Sequence, residues 1–434
     1  MENKVINNFF LFLLFSFIVA IIFSYKSKAD VSPPSTLNIG TLHKDGEINW
    51  DGKSRIYYYY EPSDPGPPPR PLVILLHGGG GNVESFLGED GKKAPFKIWL
   101  DIADEEKLYL AIPQGYENYW NDCRGDCANG DEDDLGFLNE MIDRLTNKFN
   151  IDPERIYATG ESNGGHMSYR LAMELSDRIA AIGVVIAGFP AQNQCSGPVN
   201  PISVLIMNGT DDPICPWEGG EYNIFKDRGT VLSAEESVNF WIRHNGCDTI
   251  PQYKDFPDLA TEDNSTVRLE KYLNGTEGTE VYFYRIDGGG HNPPSIIQQY
   301  LKAILLILGK QNYDIEMARE VWDFLKRHTL TGMNTAINTM DSDDLSDVAF
   351  QLSQNYPNPF NHGTTIEYRL TKRNHVSLKI FDVRGREILT LVQGEQPQGH
   401  YQIQLDSHSL PTGTYYYQLK TEDQILCKRM LLLK

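Results

Sequence analysis

The stretch Gly160-Glu161-Ser162-Asn163-Gly164 stands between a β-prone run, residues 156–159, and a helix-prone run, residues 165–176. The pattern G-x-S-x-G lets the backbone turn sharply from strand into helix, and it leaves the serine hydroxyl exposed at the C-terminal edge of a sheet. The same pattern also occurs in plain tight turns, so the prediction of a nucleophile at Ser162 depends on the rest of the chain.

Composition and charge limit the classes of protein. The chain has 434 residues, 40% of them hydrophobic and 11% aromatic, which is enough for a packed core and for two or three domains. A net charge of −20 would repel a phosphate backbone and anionic lipid, so we expect no nucleic-acid partner. Solubility outside the cell accounts for such a charge without any partner.

The N-terminus has the layout of a secretory signal peptide. Lys4 precedes an apolar run over residues 9–23, and the small-residue pattern Ser27-Lys28-Ala29 follows. We therefore assign residues 1–29 to a cleaved signal and expect no stable membrane span after cleavage. An uncleaved anchor is the alternative, but the run is at the short end for crossing a bilayer.

Cysteine usage is compatible with disulfides in an oxidising compartment. Pairing cannot be read from the sequence, although Cys123 and Cys127 are close enough for a small loop and at least one thiol before residue 330 stays unpaired. No C-x2-C pair or nearby histidine supports a metal site, so we expect neither a metal nor an organic cofactor. The chain has six cysteines: Cys123, Cys127, Cys195, Cys215, Cys247 and Cys427.

Helix-like and strand-like segments alternate over most of the chain. Residues 72–76 are a continuous apolar run of the kind that is buried on both faces of a parallel sheet. The alternation continues to an amphipathic helix over residues 315–325 and predicts an α/β fold with a mostly parallel sheet. We assign residues 36–328 to this domain.

A glycine run, His77-Gly78-Gly79-Gly80-Gly81, follows the buried strand directly. Such a loop lets the backbone approach a ligand closely and point its N–H groups at it. A phosphate-binding loop would continue with Lys-Ser/Thr, which is absent here. Gly78 and Gly79, with Asn163 after the serine, are the candidate donors to an oxyanion.

Two further strand ends carry an acid and a histidine. The run 203–207 leads into Asp211-Asp212, and the run 281–286 leads into a glycine loop that ends at His291. A histidine on a glycine loop can reach a neighbouring hydroxyl, and an acid at a strand end can orient it. We choose Asp212, which precedes a proline, over Asp211. The order Ser162, Asp212, His291 predicts a catalytic triad.

The loops near these residues add weaker candidates. Trp120, Trp217 and Asn292 are the candidate substrate-binding residues. The acidic run 131–134 could bind calcium, but a solvated face or the first turn of a helix is the commoner role for such a run.

The C-terminal part has a different character. Residues 329–349 are polar and have little to bury, so we predict a linker. Residues 350–434 contain short strands with turn signals at even spacing, which predicts a small all-β sandwich.

With these motifs located, residues from about 40 to 328 resemble the polyhydroxybutyrate depolymerase-like and feruloyl esterase-like group of secreted serine esterases, which have the α/β-hydrolase fold. The resemblance implies that Ser162, Asp212 and His291 are nucleophile, acid and base. The chain departs from the group after the histidine, where many relatives have a tryptophan before proline and this chain has Asn292. The motifs that match are Leu76-His77-Gly78-Gly79-Gly80, Gly160-Glu161-Ser162-Asn163-Gly164-Gly165, Gly209-Thr210-Asp211-Asp212-Pro213 and Gly288-Gly289-Gly290-His291.

The tail is similar to the C-terminal sorting domain of the type IX secretion route. The matching residues are the run LSQNYPNPFN, 352–361, and the closing MLLLK, 430–434. The resemblance implies a two-membrane bacterium, passage through the periplasm, contact with the secretion machinery, and release to or attachment at the cell surface. A carbohydrate-binding sandwich is the alternative.

The expected function is therefore an exported serine esterase that acts on feruloyl or acetyl esters of plant cell-wall polysaccharides. A polyhydroxybutyrate-type polyester depolymerase is the first alternative. A serine peptidase and a catalytically inert surface binding protein are the others, and the complete set of triad residues and glycine loops argues against the inert one.

Overall fold

The computed structural model describes residues 39–125, 131–222 and 229–333, and most of the tail between residues 350 and 434. Within the tail it leaves out residues 353–354, 356–357, 359, 371, 383–385, 408–409 and 422–424. The predicted signal peptide, most of the predicted linker and Cys127 therefore lie outside the described residues.

One sheet of ten strands dominates the chain before residue 333. Its strands are β1 (Thr41–Trp50), β2 (Lys53–Glu61), β3 (Arg70–Leu76), β4 (Tyr109–Pro113), β5 (Ile151–Glu161), β6 (Ala181–Val185), β7 (Ser203–Gly209), β10 (Gln252–Asp255), β11 (Thr266–Tyr272) and β12 (Val281–Asp287). Two small hairpins accompany it: β8 (Gly220–Glu221) with β9 (Thr230–Val231), and β13 (His328–Thr329) with β14 (Gly332–Met333).

The strand order is β1-β2-β4-β3-β5-β6-β7-β12-β11-β10. The six central strands, from β4 to β12, run parallel, and antiparallel strands complete the sheet at both edges. The central strands β3, β4, β6 and β7 are buried along their whole length, as expected of strands covered on both faces. The predicted α/β class with a mostly parallel sheet is confirmed.

Helices cover both faces of this sheet. The helices are α1 (Val83–Phe86), α2 (Ile98–Glu106), α3 (Asp134–Phe149), α4 (Asn163–Glu174), α5 (Ala234–Asn245), α6 (Lys302–Leu308) and α7 (Met317–Leu325). One hydrophobic cluster joins the sheet to α3, α4 and α5, and a second joins the opposite face to α1, α2 and α7. Short 3-10 helices cover Pro95–Lys97, Tyr116–Asn118, Thr261–Asp263 and Thr276–Gly278.

The parallel strands bring the predicted motifs to one edge of the sheet. Leu76 at the end of β3 pairs with Gly160 near the end of β5, and Ile286 in β12 pairs with Gly209 at the end of β7. The loops after these strands carry the glycine run, the serine, the acid and the histidine, so the topology collects them at the carboxyl ends of neighbouring strands.

The tail forms two antiparallel sheets, one of order β15-β16-β19 and one of order β18-β17-β20-β21. Side chains along β16 alternate between buried and partly exposed positions, which is the pattern of a strand with one face in a core. The predicted small all-β region is confirmed. Its strands are β15 (Phe350–Leu352), β16 (Gly363–Leu370), β17 (Asn374–Asp382), β18 (Glu387–Gln396), β19 (Gly399–Asp406), β20 (Gly413–Lys420) and β21 (Ile425–Leu432).

Over the residues that the structure describes, every helix is too short or too polar to cross a membrane.

Candidate active site

The turn between β5 and α4 places Ser162 in a conformation that side chains rarely adopt. Its φ is 52° and its ψ is −119°, and its N–H donates to the carbonyl of Val185 at 3.0 Å. A Cβ on Gly164 would collide with the carbonyl of Leu76, and one on Gly160 would collide with the backbone of Gly164. The two glycines of the motif are therefore required because the backbone passes within contact of its neighbours.

The loop after β12 brings a histidine to the serine. Nε2 of His291 lies 3.0 Å from Oγ of Ser162, and Nδ1 lies 2.7 Å from Oδ2 of Asp212. The N–H of His291 donates to the carbonyl of Leu308, and that of Gly290 donates to Lys310 at 2.8 Å. These backbone bonds hold the ring between the hydroxyl and the acid.

Asp212, and not Asp211, faces the histidine. Oδ1 of Asp212 accepts the N–H groups of Ile214 at 2.8 Å and Cys215 at 2.9 Å, which leaves Oδ2 for the imidazole. The Asp211 side chain is exposed. The structure thus brings Ser162, Asp212 and His291 into one hydrogen-bonded chain.

The glycine loop approaches the serine from the other side. A Cβ on Gly79 would lie 3.3 Å from Cβ of Asn163, so the two loops are in contact. Within the described part of the chain, the N–H groups of Gly78, Gly79 and Asn163 donate to no other group. They stay available to a negative oxygen beside Ser162.

His77 holds this loop in place. Its Nδ1 donates to the carbonyl of Gly78 at 2.8 Å, and its Nε2 accepts the N–H of Gly115 at 3.0 Å, which fixes the neutral tautomer. Burial lowers the pKa of His77 to about 4. The residue is therefore a structural support of the glycine loop.

The Asn163 side chain joins the turn between β5 and α4 to a buried polar network. Its Oδ1 accepts the N–H of Trp120 at 2.8 Å, and its Nδ2 donates to the carboxylate of Asp122. Burial opposes ionisation of Asp122, but the bidentate guanidinium of Arg124 at 2.6 and 2.9 Å keeps the pKa of this carboxyl below its usual value. The network fixes the segment that carries Asn163, one of the three candidate oxyanion donors.

A disulfide anchors the same segment. Cys123 is bonded to Cys195, with a Cα–Cα distance of 5.2 Å, whereas Cys215 and Cys247 are buried free thiols. The sequence indicated disulfides but could not identify this pair, whose members are 72 residues apart.

The three candidate substrate-binding residues have different positions. Trp120 is 1% exposed, and its indole N–H donates to the carbonyl of His77 at 3.0 Å, so it supports the glycine loop from beneath. Asn292 is 4% exposed, and its Nδ2 donates to the carbonyl of Gly309 at 2.8 Å. Both side chains, Trp120 and Asn292, are buried and hydrogen-bonded to backbone carbonyls, so in this structure neither is exposed to a substrate. Trp217 is partly exposed and stacks on Phe283 at 5.6 Å.

A cavity of about 160 Å³ lies beside the glycine loop, and none of these three residues lines it. Its lining includes Glu161 and Tyr300, which are not among the candidates predicted from the sequence. The position of Glu161 was a signal for it, because the residue before the nucleophile ends a central strand at the site. Burial raises the pKa of Glu161 to about 7, with a smaller opposite effect of His291.

The acidic run is occupied by protein contacts. Oδ1 of Asp133 accepts the N–H of Gly136 at 2.9 Å and so caps α3, and Oδ2 of Asp134 accepts the N–H of Asn121 at 2.7 Å. Glu132 pairs with Lys53. The helix-capping interpretation accounts for this run.

Among the described residues, one group of three potential metal ligands lies close together: Cys123, Glu174 and Cys195. Its two sulfurs are joined in the disulfide, so neither is a thiolate that could bind a metal ion.

The chain is similar to known esterases. One relative, named "Putative esterase NocK" in Nocardia uniformis subsp. tsuyamanensis, is 30% identical over 236 residues, which cover 51% of this chain and 66% of that protein. Feruloyl esterase B of Piromyces equi is 32% identical over 176 residues, which cover 40% of this chain and 31% of that protein. The chain thus spans less than two thirds of the length of each.

Among solved structures, the acetyl xylan esterase from Aspergillus awamori superposes with a TM-score of 0.39 at 15% identity, over 62% of this chain and 97% of that one. Residues 354–433 match the family of the secretion system C-terminal sorting domain. The predicted resemblance to feruloyl esterases and the predicted type IX sorting domain are confirmed, and the similar proteins also include an acetylxylan esterase/xylanase. The sorting domain also confirms the predicted destination, secretion or the cell surface.

Proposed function

We propose that this chain is an exported serine esterase that cleaves carboxylic esters through Ser162, His291 and Asp212. The observation that carries the proposal is the continuous hydrogen-bonded chain of these residues, with 3.0 Å from hydroxyl to imidazole and 2.7 Å from imidazole to carboxylate. Similarity to feruloyl esterases supports the same reaction class.

In the first step, Nε2 of His291 takes the hydroxyl proton while Oγ of Ser162 attacks the ester carbonyl. Asp212 accepts the Nδ1 proton in a hydrogen bond, holds the tautomer and stabilises the charge on the imidazolium. The imidazolium then gives its proton to the leaving oxygen, and an acyl-enzyme remains.

The negative oxygen of the tetrahedral intermediate is bound by the N–H groups of Asn163 and of the Gly78-Gly79 loop. Each such donor typically stabilises the transition state by about 3 kcal/mol. Water, deprotonated by the same histidine, then hydrolyses the acyl-enzyme. The reaction requires no metal or organic cofactor.

Feruloyl or acetyl esters of plant cell-wall polysaccharides are the substrates that we favour, because the similar proteins include feruloyl esterases and an acetylxylan esterase/xylanase. The tail suits this role: it contacts the type IX secretion machinery of a two-membrane bacterium, and the enzyme meets polymer outside the cell.

The test is the rate of hydrolysis of 4-nitrophenyl acetate, methyl ferulate and acetylated xylan by the wild type and by Ser162→Ala. The variant should lose about 10^6 in kcat and should keep the thermal unfolding transition. Retention of more than a few per cent of the activity by a folded variant, or cleavage of peptides but not esters by the wild type, would refute the proposal.

A polyester depolymerase is the second candidate, and one observation favours it. Helix α6 is apolar after Lys302, and its last residue, Leu308, accepts the N–H of His291 through its carbonyl. Leu301, just before the helix, and Leu306, within it, are 68% and 88% exposed. An apolar surface beside the site suits a hydrophobic polymer. On this hypothesis Leu306→Ser lowers the rate on a polyhydroxybutyrate suspension and leaves the rate on 4-nitrophenyl acetate unchanged.

A further inference from the structure

Tyr222 lies at the end of the loop that begins with the triad acid, Asp212, and it directly follows strand β8. It is 4% exposed and is not among the candidates predicted from the sequence. A tyrosine in a protein interior has two parts to satisfy, an aromatic ring that packs and a hydroxyl that forms hydrogen bonds. Each part contacts a different support of the candidate active site.

The hydroxyl of Tyr222 bonds to the helix that follows the nucleophile. It is hydrogen-bonded to Nε2 of His166, a fully buried residue of α4. The N–H of His166 donates to the carbonyl of Ser162 at 3.0 Å, so the imidazole is one helical turn from the nucleophile. Burial lowers the pKa of His166 to about 3 and raises the pKa of Tyr222 well above its usual value, so both groups are neutral near pH 7.

The same hydroxyl contacts the loop that carries the acid. It lies against the Cys215 thiol, which stays protonated because burial raises its pKa to about 12. The N–H of Cys215 donates to Oδ1 of Asp212 at 2.9 Å, and Oδ2 of that carboxylate bonds to His291. These contacts form a closed path that includes the whole triad. In order, its members are Ser162, His166, Tyr222, Cys215, Asp212 and His291.

The aromatic ring of Tyr222 contacts the network that holds Asn163. The guanidinium carbon of Arg124 lies 5.1 Å from the centroid of this ring, within the range of a cation–π interaction. Arg124 bonds to Asp122, whose carboxylate accepts a hydrogen bond from the Asn163 side chain. The face of Tyr222 therefore supports the residue whose N–H is a candidate oxyanion donor.

The loop of the catalytic histidine reaches the same side chain. Tyr222 belongs to a small hydrophobic cluster, and Leu308 packs against that cluster. The carbonyl of Leu308 accepts the N–H of His291. The supports of the nucleophile, the acid, the histidine and the oxyanion donor thus meet at one buried side chain.

We propose that Tyr222 is a positioning residue that sets the distances between Ser162, Asp212 and the N–H of Asn163 without touching the substrate. The inference rests on the proposed esterase mechanism and adds a residue that acts through the triad. A catalytic group that is misplaced by about 1 Å can lower a rate by about a hundredfold. Removal of the hydroxyl should therefore slow the chemical step and leave the binding of the ester unchanged.

The decisive variant is Tyr222→Phe, which removes the hydroxyl and keeps the ring beside Arg124. On 4-nitrophenyl acetate its kcat should fall by about 10- to 100-fold, and its KM should stay within about twofold of the wild type. A purely structural defect would lower the amount of folded protein, so the rate is expressed per folded molecule, measured by circular dichroism.

Tyr169→Phe is the matched control. Tyr169 is also buried, and its hydroxyl has no hydrogen-bond partner among the residues that the structure describes. The change removes the same atom as Tyr222→Phe and should leave kcat within about twofold of the wild type.

A double variant tests whether the effect passes through His166. His166→Phe removes the other partner of the hydrogen bond, so it should lower kcat to a similar degree. Because the two changes break one contact, the double variant should lose no more than the more damaged single variant, within about threefold.

The outcomes separate the inference from the proposed function. If the wild type hydrolyses no ester, the proposed function fails and the inference fails with it. If the wild type is active but Tyr222→Phe keeps kcat within about twofold, or raises KM and leaves kcat unchanged, the positioning role is overturned and the esterase function stands. The role is also overturned if Tyr169→Phe loses as much kcat as Tyr222→Phe, or if the two single losses multiply in the double variant.

Discussion

At the scale of single residues, the two neighbouring acids after β7 offer a controlled test of the triad. Asp212 bonds to His291, whereas Asp211 is exposed. Asp212→Asn should keep the fold and lower kcat by about 10^4, because an amide presents an N–H where Nδ1 also carries one and so favours the wrong tautomer. Asp211→Asn should stay within about twofold of the wild type.

Steady-state kinetics on methyl ferulate decides between the two variants. Equal losses, or a larger loss for Asp211→Asn, would show that the hydrogen bond to His291 is not the one that matters in catalysis.

His77 gives a prediction about acid. Burial lowers its pKa to about 4 in the folded chain, whereas an unfolded histidine titrates near 6.5. The unfolded state therefore binds more protons between these values, and the free energy of unfolding falls as the pH drops from 6.5 towards 4, by roughly 3 kcal/mol from this residue. Urea titrations at several pH values measure the fall.

His77→Gln cannot take up that proton, so its free energy of unfolding should depend less on pH. Part of the dependence remains, because burial also lowers the pKa of His166 and of His328 to about 3. If the variant and the wild type had identical slopes, the buried neutral histidine would not be a source of acid sensitivity.

At the scale of elements, the segment 120–124 connects helix α4, which begins at Asn163, to the disulfide. The bond between Cys123 and Cys195 closes a loop of 72 residues. A cross-link over a loop of that length stabilises the folded state by roughly 4 kcal/mol, because it lowers the entropy of the unfolded chain. Cys195→Ser should lower the free energy of unfolding by about 2–4 kcal/mol and lower kcat as well, since Trp120 and Asp122 hold Asn163.

Cys247→Ser is the control, because this thiol is buried and unpaired. A reducing agent should lower the melting temperature of the wild type and of Cys247→Ser, and leave that of Cys195→Ser unchanged. If the reducing agent left the melting temperature of the wild type unchanged, the disulfide between Cys123 and Cys195 would be contradicted.

The strands that were predicted correctly from the sequence have one feature in common. Apolar runs that are buried on both faces, such as residues 72–76 and 203–207, give a strong signal, whereas β10 is exposed at all four positions and β1 at five of ten, and neither was predicted. Edge strands are set by pairing with a neighbour, so their own side chains need not be apolar.

The candidate site likewise has one part that the sequence predicts and another that it does not. Ser162, Asp212, His291 and the glycine loop follow strand ends, and parallel topology brings such positions together. The burial of Trp120 and Asn292 depends on loop packing, which a sequence does not reveal. Glu161 is marked in the sequence only by its position before Ser162 at the end of a central strand, and that position does not show that its side chain lines a cavity.

At the scale of the whole molecule, the tail and the ten-stranded sheet have separate hydrophobic cores. The tail cluster contains only residues 352–432, and the two clusters of the large sheet contain only residues 42–330. We predict that a chain ending at Met333 folds alone and hydrolyses soluble esters at close to the full-length rate. Circular dichroism and kcat/KM on 4-nitrophenyl acetate test this.

The choice of Met333 follows from the hairpin of β13 and β14. Leu330 donates to the carbonyl of Glu154 at 3.1 Å, and the carbonyl of His328 accepts the Tyr157 hydroxyl at 2.7 Å. A chain ending at residue 327 loses these bonds and should melt at a lower temperature. If the chain ending at Met333 were inactive on soluble esters, the tail would have to contribute to the site or to its stability.

The left-handed backbone of Ser162 has a consequence for stability as well as for chemistry. A side chain at φ 52° strains the folded state by roughly 1–3 kcal/mol, and glycine is free of that strain. In the interior of a helix, by contrast, glycine is less stabilising than alanine by about 1 kcal/mol. Here Ser162→Gly should be at least as stable as Ser162→Ala in thermal unfolding, although both lack the nucleophile. The active protein would then be less stable than its inactive glycine variant, because the backbone conformation that exposes the Ser162 hydroxyl is strained.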